Sequence, residues 1–328
     1  MRIRSALKSS LYAGTCALWL IFAAPTLAQD RMDKPVRILV GFAPGGTADL
    51  IARVVADKLK DTVGQPVIVE NRPGAAGRIA ADAVKAAAPD GSVIMVMPIG
   101  PMAVVPHTLK AIPYDPVKDF TAIGLGATFQ FALAAGPASG AKTWAEFVSW
   151  AKANPSKASY ATSAAGSLPH FVGVLLSRDI GIDMVHVPYK GSGAYMNDLM
   201  GGQVPSAIDT VADLSEQHRA GRIRILATTG ATRAPATPDV PTFSELGLKN
   251  VVASGWFGFF APPNTPKAVI DTLNRGINKA LTSPDVVERL TKLGMDPVTS
   301  TPEGFAMIVA TDYAKWGPIV KASGFTAD

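Results

Sequence analysis

The chain has almost no cysteine and few of the residues on which metal and redox chemistry depend. Its 328 residues include one cysteine, Cys16, and four widely scattered histidines. A single thiol cannot form an intrachain disulfide, and the histidines do not have the spacing of metal ligands. We therefore expect no disulfide, no metal and no cofactor. Ordinary hydrophobic cores must stabilise the protein, and its length allows two of them.

An excess of charge is missing as well. The formal net charge is +5, but Arg2, Arg4 and Lys8 lie among the first 28 residues, which contain no acidic residue. The remaining chain has 28 basic and 26 acidic residues. Lysine and arginine are nowhere clustered with aromatic residues, so nucleic-acid binding is not indicated.

The amino-terminal segment has the composition of a secretory signal peptide. A basic start is followed by an apolar stretch from Leu11 to Ala24 and by small residues ending at Ala28. This pattern predicts cleavage after Ala28 and a periplasmic mature protein. A membrane anchor is the alternative, but the apolar stretch is short for a span. Cys16 lies within this segment, and no later apolar run has membrane-spanning length.

Short apolar segments alternate with amphipathic helical patterns along the mature chain. "VRILV" (36–40), "PVIVE" (66–70) and "SVIMVM" (92–97) read as buried strands, and the alternation restarts at "FQFALAAG" (129–136). Such alternation predicts parallel α/β sheets, here in two lobes. "SGWFGFFAPP" (254–263) is interpreted as a strand that returns to the first lobe, with its aromatic residues mostly in the core.

Three helices are expected near the carboxyl terminus. Thr265-Pro266, Ser283-Pro284 and Thr301-Pro302 each place a capping residue before a proline that suits the first helical turn. The hydroxyl residue is predicted to be the N-cap in all three cases.

The first glycine-rich loop, "GFAPGGTAD", joins a predicted strand to a predicted helix. Gly45 and Gly46 allow a sharp turn, and the free N–H groups and dipole of the helix favour an anion. The spacing matches neither the dinucleotide fingerprint nor a phosphate-binding P-loop. A carboxylate fits the loop better than a polyphosphate, while a plain tight turn is the alternative interpretation.

A second loop of the same kind occurs in the second lobe. "ATSAAGSLPHF" (161–171) runs from strand to helix with Gly166 at the turn, Ser167 as a plausible cap and the hydroxyls of Thr162 and Ser163 nearby. One anion-receptive loop in each lobe predicts a carboxylate, most economically a dicarboxylate, held in a cleft between them.

Ser167, His170 and Asp209 could instead form the triad of a secreted hydrolase. No G-x-S-x-G elbow surrounds the serine, and a hydroxyl engaged in capping is a poor nucleophile. A non-enzymatic binding protein is therefore the favoured interpretation, and His170 is read as a packed or ligand-orienting residue.

Several motifs together resemble one family. "GFAPGGTADLIAR", "VENRPGAAGRIAADAV", "AIPYDPVKDF", "GIDMVHVPYKGSGAYMNDLMGGQV", "AGRIRILATT" and "TPDVPTFSELG" look like Bug-type receptors, the periplasmic solute-binding proteins of tripartite tricarboxylate transporters. The resemblance covers essentially the whole mature chain. It implies two α/β lobes that close like a Venus flytrap, as in type II-like periplasmic binding proteins. It also implies a monomer that delivers a small carboxylate to membrane permease subunits, without an enzymatic reaction.

The resemblance also implies which ligand classes and which residues are involved. The ligand classes are dicarboxylates, tricarboxylates, acidic amino acids and aromatic acids, and a sensor role in signalling would use the same cleft. Lobe 1 is expected to comprise residues 29–128 and 253–328, and lobe 2 residues 129–252. The implied ligand-binding residues are Phe42, Ala43, Gly45, Gly46, Thr47 and Asp49 in the first loop; Ser163, Ala165, Gly166, Ser167 and His170 in the second; and Tyr189 and Asp209 at the cleft border.

The chain departs from the family pattern at positions expected to set which ligand fits. "GPMAVVPHTL" has Val105-Pro106 where the family usually has Asn-Pro, and the segment after Asp209 lacks the usual proline-serine. Met102, Val104 and Val105 could make the cleft wall more apolar, or they could belong to the core.

Overall fold

The computed structural model describes residues 32–327. The predicted signal peptide, residues 1–28, and Cys16 lie outside the described residues. No helix among residues 32–327 is long and apolar enough to cross a bilayer.

Strands and helices alternate through most of the described chain, as the sequence predicts. The strands are β1 (Val36–Val40), β2 (Val67–Asn71), β3 (Val93–Pro98), β4 (Thr121–Ala135), β5 (Ser159–Thr162), β6 (Val185–Pro188), β7 (Ser206–Thr210), β8 (Arg224–Thr228), β9 (Ser254–Ala261) and β10 (Asp296–Pro297). The helices are α1 (Thr47–Val63), α2 (Arg78–Lys85), α3 (Val105–Thr108), α4 (Trp144–Ala153), α5 (Leu168–Ile180), α6 (Ser192–Met200), α7 (Val211–Arg219), α8 (Lys267–Leu281), α9 (Pro284–Lys292) and α10 (Pro302–Ser323).

The two α/β lobes share one continuous sheet, in which β4 is the common strand. Its path is β2-β1-β3-β9-β4-β7-β5-β6, with β8 and β10 also paired to β4. The first part of β4, from Thr121 to Gln130, pairs with β9. Its last part, from Phe131 to Ala135, lies between β7 and β8. The 15-residue strand thus changes partners at Phe131.

Helices cover both faces of this sheet and enclose its apolar residues. One core packs α1 and α8 against the first lobe's strands, and a smaller one packs α6 and α7 against β4 and β7. The largest core extends through both lobes and contains Trp256 and Phe260. Phe257 and Phe259 are buried in the first lobe, so the aromatic residues of β9 are core residues, as expected.

The three predicted caps have different outcomes. The Thr301 hydroxyl accepts a hydrogen bond from the Gly304 N–H and caps α10 as expected. Ser283 occupies the N-cap position of α9 but makes no side-chain capping bond. The Thr265 prediction is wrong, because α8 begins one residue later, after Pro266. The Thr265 hydroxyl instead donates to the Pro262 carbonyl, which fixes the preceding turn.

Candidate functional site

The strand directions bring the carboxyl ends of both α/β blocks to the same part of β4. β1, β2 and β3 are parallel to one another, and β9 is antiparallel to both β3 and β4, so β3 and β4 run the same way. β7 is antiparallel to β4 and parallel to β5, which is parallel to β6. The strands of the two lobes therefore run in opposite directions, and their carboxyl ends point toward each other.

The distance between these ends follows from the register. Pro98, the last residue of β3, lies in the row of Phe257 and Ala127, and Thr210, the last residue of β7, lies opposite Phe131. Four residues of β4 separate the rows, about 13 Å along an extended strand. The loops that follow the strands of both lobes must occupy this interval. Ligands of open α/β sheets bind outside such carboxyl ends.

The first predicted loop lies at the carboxyl end of β1 and leads into α1. Ala43, Gly45 and Gly46 are exposed, Phe42 and Thr47 are partly buried, and Gly45 has a φ of 84°, which favours glycine. Gly46 is the N-cap of α1 and provides no side-chain hydrogen bond. The N–H groups of the first turn of α1 are therefore not capped by a side chain, and the helix dipole favours an anion there.

Asp49 is the internal anion of this first loop. Its Oδ2 accepts hydrogen bonds from the Gly45 N–H and the Arg53 Nε, each 2.9 Å long, and its Oδ1 accepts one from Asn71 Nδ2, also 2.9 Å. The Arg53 bond is the main cause that lowers the pKa of Asp49 to about 2. The carboxylate is almost fully buried, so it orders the loop from within.

A loop that was not predicted to be functional lies next to the first one. Residues 74–77 follow β2, and all four have a positive φ: 134° at Gly74, 47° at Ala75, 54° at Ala76 and 90° at Gly77. Two successive alanines in the left-handed region are strained, because their Cβ atoms crowd the backbone. The exposed residues 73–76 thus form a strained turn beside the first loop.

The second predicted loop lies at the carboxyl end of β5 and leads into α5. Ser167 is the N-cap of α5, but its hydroxyl donates to the Ala164 carbonyl at 2.7 Å and makes no capping bond. The expected capping bond is therefore absent, and the first N–H groups of α5 are not capped by a side chain. Ala165 is exposed, while Ser163, Gly166 and Ser167 are partly buried.

Two stacked imidazoles hold the second loop from below. The Gly166 N–H donates to His170 Nδ1 at 3.2 Å, and the His170 ring lies 3.8 Å from the His186 ring at an angle of 11°. The Thr162 hydroxyl donates to the Ala164 carbonyl and therefore accepts from His186 Nε2, 2.7 Å away. Burial lowers the pKa of His170. Burial and the neighbouring His170 lower the pKa of His186 to about 4, so both rings are neutral at pH 7.

The register brings Ser163, Tyr189 and Asp209 together at the ends of β5, β6 and β7. Thr162 pairs with Pro188, and Ala161 pairs with Ala207, so these three residues continue one row across the sheet. The Tyr189 hydroxyl donates to Asp198 Oδ2 at 2.6 Å and is thereby turned toward α6.

Asp209 is a buried carboxyl group with little compensation. Its Oδ1 accepts from the Thr210 N–H at 2.9 Å, but its Oδ2 has no hydrogen-bond partner within residues 32–327. Burial raises its pKa to about 6, and the charge of Asp213 contributes to the shift. The Tyr195 hydroxyl nearby is also buried without a hydrogen-bond partner in the described chain.

The residues of the alternative hydrolase triad are not connected. Ser167 bonds to a backbone carbonyl, His170 Nδ1 accepts from a backbone amide, and Asp209 bonds to the Thr210 amide. Within residues 32–327, no hydrogen bond links the serine to the histidine or the histidine to the aspartate. No group of three or more histidine, cysteine or acidic side chains in that range could hold a metal ion.

The apolar residues after β3 divide between core and surface. Met102 and Val104 are buried in the large core, so they do not form the cleft wall, whereas Val105 is partly exposed. Sequence reasoning did not identify Arg53 and Asn71, which hold Asp49, or Phe325, which contacts the second loop. Asp49 and Arg53 have the i,i+4 spacing of a helical ion pair, which the sequence does display.

Comparison with known proteins agrees with the fold and its direction of binding. Residues 51–325 match the model of the tripartite tricarboxylate transporter family receptor. The chain is 35% identical to protein BugT of Bordetella pertussis over 303 residues, which cover 92% of this chain and 93% of BugT.

Solved structures give the same result. MatC (Rpa3494) from Rhodopseudomonas palustris, solved with bound malate, is 32% identical with a TM-score of 0.71, over 88% of this chain and 99% of that one. Rpa4515 from R. palustris, solved with adipate, is 31% identical with a TM-score of 0.74, over 90% and 98%. The chain belongs to the receptor family of tripartite tricarboxylate transporters, whose members are periplasmic solute-binding proteins.

Proposed function

We propose that this protein captures a small aliphatic dicarboxylate between its lobes and delivers it to the membrane permease subunits of a tripartite tricarboxylate transporter. The observation that carries the proposal is the opposed strand direction in the two lobes. It brings two helix N-termini without side-chain caps, those of α1 and α5, to the same interval of β4.

The chemistry of the two loops suits a carboxylate. Backbone N–H groups at a helix N-terminus and nearby hydroxyls can neutralise a carboxylate without a buried lysine or arginine. The second loop contains no acidic residue, whereas the first has already committed its Gly45 N–H to Asp49. We therefore assign the direct contact with one ligand carboxylate to the second loop. The first loop contacts the ligand from the other side, partly through ordered water.

Closure follows from the division of the ligand contacts. We propose that lobe 1 comprises residues 29–128 and 253–328 and lobe 2 residues 129–252, because β4 changes partners near that boundary. A ligand that contacts both lobes only when they are closed shifts the population toward the closed state. The thirteen residues predicted from the sequence are the proposed contacts, with Asp49 acting through the order of its loop.

The ligand class is chosen from the relatives. MatC was solved with malate and Rpa4515 with adipate, both of which are aliphatic dicarboxylates. Malate and adipate are therefore the first probes, and their diamides are the matched neutral controls.

Thermal unfolding of residues 29–328 tests the proposal. A ligand at a hundredfold excess over its dissociation constant stabilises the folded protein by about 2.7 kcal/mol, which gives a clear rise in the unfolding temperature. We expect a rise with at least one diacid and none with its diamide. Equal shifts with acid and amide, or no shift with any aliphatic diacid, would contradict the proposal.

A variant connects the binding to the second loop. We expect Ser167→Ala to weaken binding of the diacid, because it removes the hydroxyl at the α5 N-terminus and its bond to Ala164. Ser156→Ala is the matched control, since Ser156 is an exposed residue outside both loops. Unchanged affinity of the Ser167 variant would remove this hydroxyl from the ligand contacts.

A further inference from the structure

The aromatic ring of Phe325, which follows α10, lies against the second loop. A Cβ placed on Gly166 would lie 2.5 Å from Cε1 and 2.8 Å from Cζ of this ring. The ring also meets His170 edge-on, with centroids 5.4 Å apart and an angle of 88°, and it lies 6.0 Å from the Phe171 ring. A side chain far away in sequence thus covers the turn at which α5 begins.

The segment that carries Phe325 is attached to the first α/β block. In α10, Asp312 Oδ2 accepts a hydrogen bond from Trp256 Nε1 of β9 at 2.8 Å. The Tyr313 carbonyl lies 2.8 Å from Nε2 of His107 in α3. Beyond the ring, the Ala327 N–H donates to the carbonyl of Thr108, the last residue of α3, at 2.8 Å. The contacts of Phe325 with the second loop are therefore bracketed by two attachments to elements that follow β3 or pair with it.

The end of α10 differs from its middle. Pro318 has no N–H to donate to the Ala314 carbonyl, so the helical hydrogen-bond ladder is interrupted there. Beyond this proline, Ala322 and Ser323 line a depression together with Tyr160 and Val174 of the second block. The last turn of α10 and Phe325 therefore pack on the second block, while the rest of α10 packs on the first.

The contacts of Phe325 reach the donors of the second loop through His170. This imidazole accepts from the Gly166 N–H, and its stacking on His186 connects it to the Thr162 hydroxyl, which bonds to Ala164. Displacement of the ring from His170 would release both the turn at Gly166 and the imidazole that fixes it.

We infer that Phe325 is a positioning residue for carboxylate binding. Its ring, held by the first block, keeps Gly166 and His170 in the arrangement that presents the first N–H groups of α5 to the ligand. The inference rests on the proposed function, since it concerns the same carboxylate site. The ring could alternatively cover the loop and exclude the ligand, and the two roles predict opposite effects on affinity.

Removal of the ring tests the inference in the chain comprising residues 29–328. We expect Phe325→Ala to weaken the binding of malate or adipate, measured by calorimetry, by about two- to tenfold, the range that one aromatic contact supports. Phe325→Tyr should restore most of the affinity, and Thr326→Ala, at the exposed neighbouring position, should match the wild type. Unchanged or tighter binding by Phe325→Ala would overturn the inference.

Two further measurements separate positioning from a general loss of structure. Hydrogen exchange of the Gly166 and Ser167 amides should be faster in Phe325→Ala, while exchange in α1 should be unchanged. In a double-mutant cycle, the steric part of the Gly166→Ala penalty should disappear when Phe325 is already alanine, because the added Cβ no longer meets the ring.

The exchange measurement also distinguishes the two possible failures. If the wild type bound no acid, the proposed function would fail, and the exchange rates would then decide the inference by themselves. Faster exchange confined to the second loop would support a positioning role for Phe325. Unchanged rates at Gly166 and Ser167 would overturn it.

Discussion

The two loops are ordered by opposite means, and their buried aspartates illustrate the difference. Asp49 accepts hydrogen bonds from three donors, including Arg53, and its pKa falls to about 2. Asp209, beside the second loop, accepts one backbone hydrogen bond, and burial raises its pKa to about 6. The first loop is built around a compensated charge, whereas the second is built on neutral imidazoles and hydroxyls next to an uncompensated acid.

This contrast has a consequence for the ligand. A loop whose N–H groups already hold a carboxylate has fewer donors left for a second one, and the existing charge opposes it. A loop held by neutral rings keeps its donors and the helix dipole for the ligand. The second loop is therefore assigned the direct carboxylate contact, and the following variants test the contrast from the largest expected effect to the smallest.

Asp49→Asn should destabilise the protein by about 2 kcal/mol, because it removes the charge in the hydrogen bonds from Arg53 and Gly45. Urea unfolding at pH 7 measures this loss. The folded pKa lies below the unfolded value, so the contribution is complete above pH 4 and disappears as the pH falls toward 2. Asp57→Asn is the control on the same helix; its exposed pair with Lys60 should contribute less than about 0.5 kcal/mol. Equal losses in the two variants would refute the structural role of Asp49.

Asp209→Asn should have the opposite sign and stabilise the protein by about 1–2 kcal/mol at pH 7.5. The folded pKa lies above the unfolded one, so the charged form of Asp209 is a burden at neutral pH. This burden disappears as the pH falls below about 6. The advantage of the asparagine variant should shrink between pH 7 and pH 4. A loss of stability at pH 7.5 would mean that the carboxylate has a partner that compensates its charge.

Backbone strain also distinguishes the two sides. The second loop uses glycine at its left-handed position, Gly166, whereas the turn after β2 uses Ala75 and Ala76. Ala76→Gly should therefore stabilise the protein by about 0.5–1 kcal/mol, since it relieves the strain. Ala83→Gly, within the right-handed helix α2, should cost about 1 kcal/mol in the same denaturation assay. Destabilisation by both changes would show that the turn is not strained.

The imidazole stack should respond to acid in a different pH range from Asp49. The pKa of His186 in the folded protein, about 4, lies below the unfolded value, so stability is lost as the pH falls from about 6.5 to 4. His186→Gln removes this proton uptake and should flatten the stability profile in that range, with little effect at pH 7.5. Asp49→Asn is the matched control, because its change in pH dependence lies below pH 4. An unaltered profile for His186→Gln would mean that the stack does not control acid sensitivity.

The sequence was sufficient for the alternation of strands and helices because buried strands are short apolar runs and the helices are amphipathic. It also located both glycine loops, since Gly45 and Gly166 stand where strand patterns meet helix patterns. It did not reveal how each loop is held. His186, read only as a strand residue, stacks on His170, and Phe325 meets Gly166 across more than 150 residues; such contacts depend on tertiary packing and leave no local pattern. The Thr265 cap failed for a related reason, because its hydroxyl found the Pro262 carbonyl.

Amide spectra of residues 29–328 during titration with malate and adipate test the central claim most directly. If the second loop takes the carboxylate, the largest shifts will occur at the amides of Gly166, Ser167 and Leu168, with smaller shifts at Thr47. The diamides should leave all of these unchanged. Shifts concentrated instead at the cavity lined by Lys142, Arg222 and Arg224 beyond Ala135 would contradict the account, since the carboxylate would then bind outside the cleft.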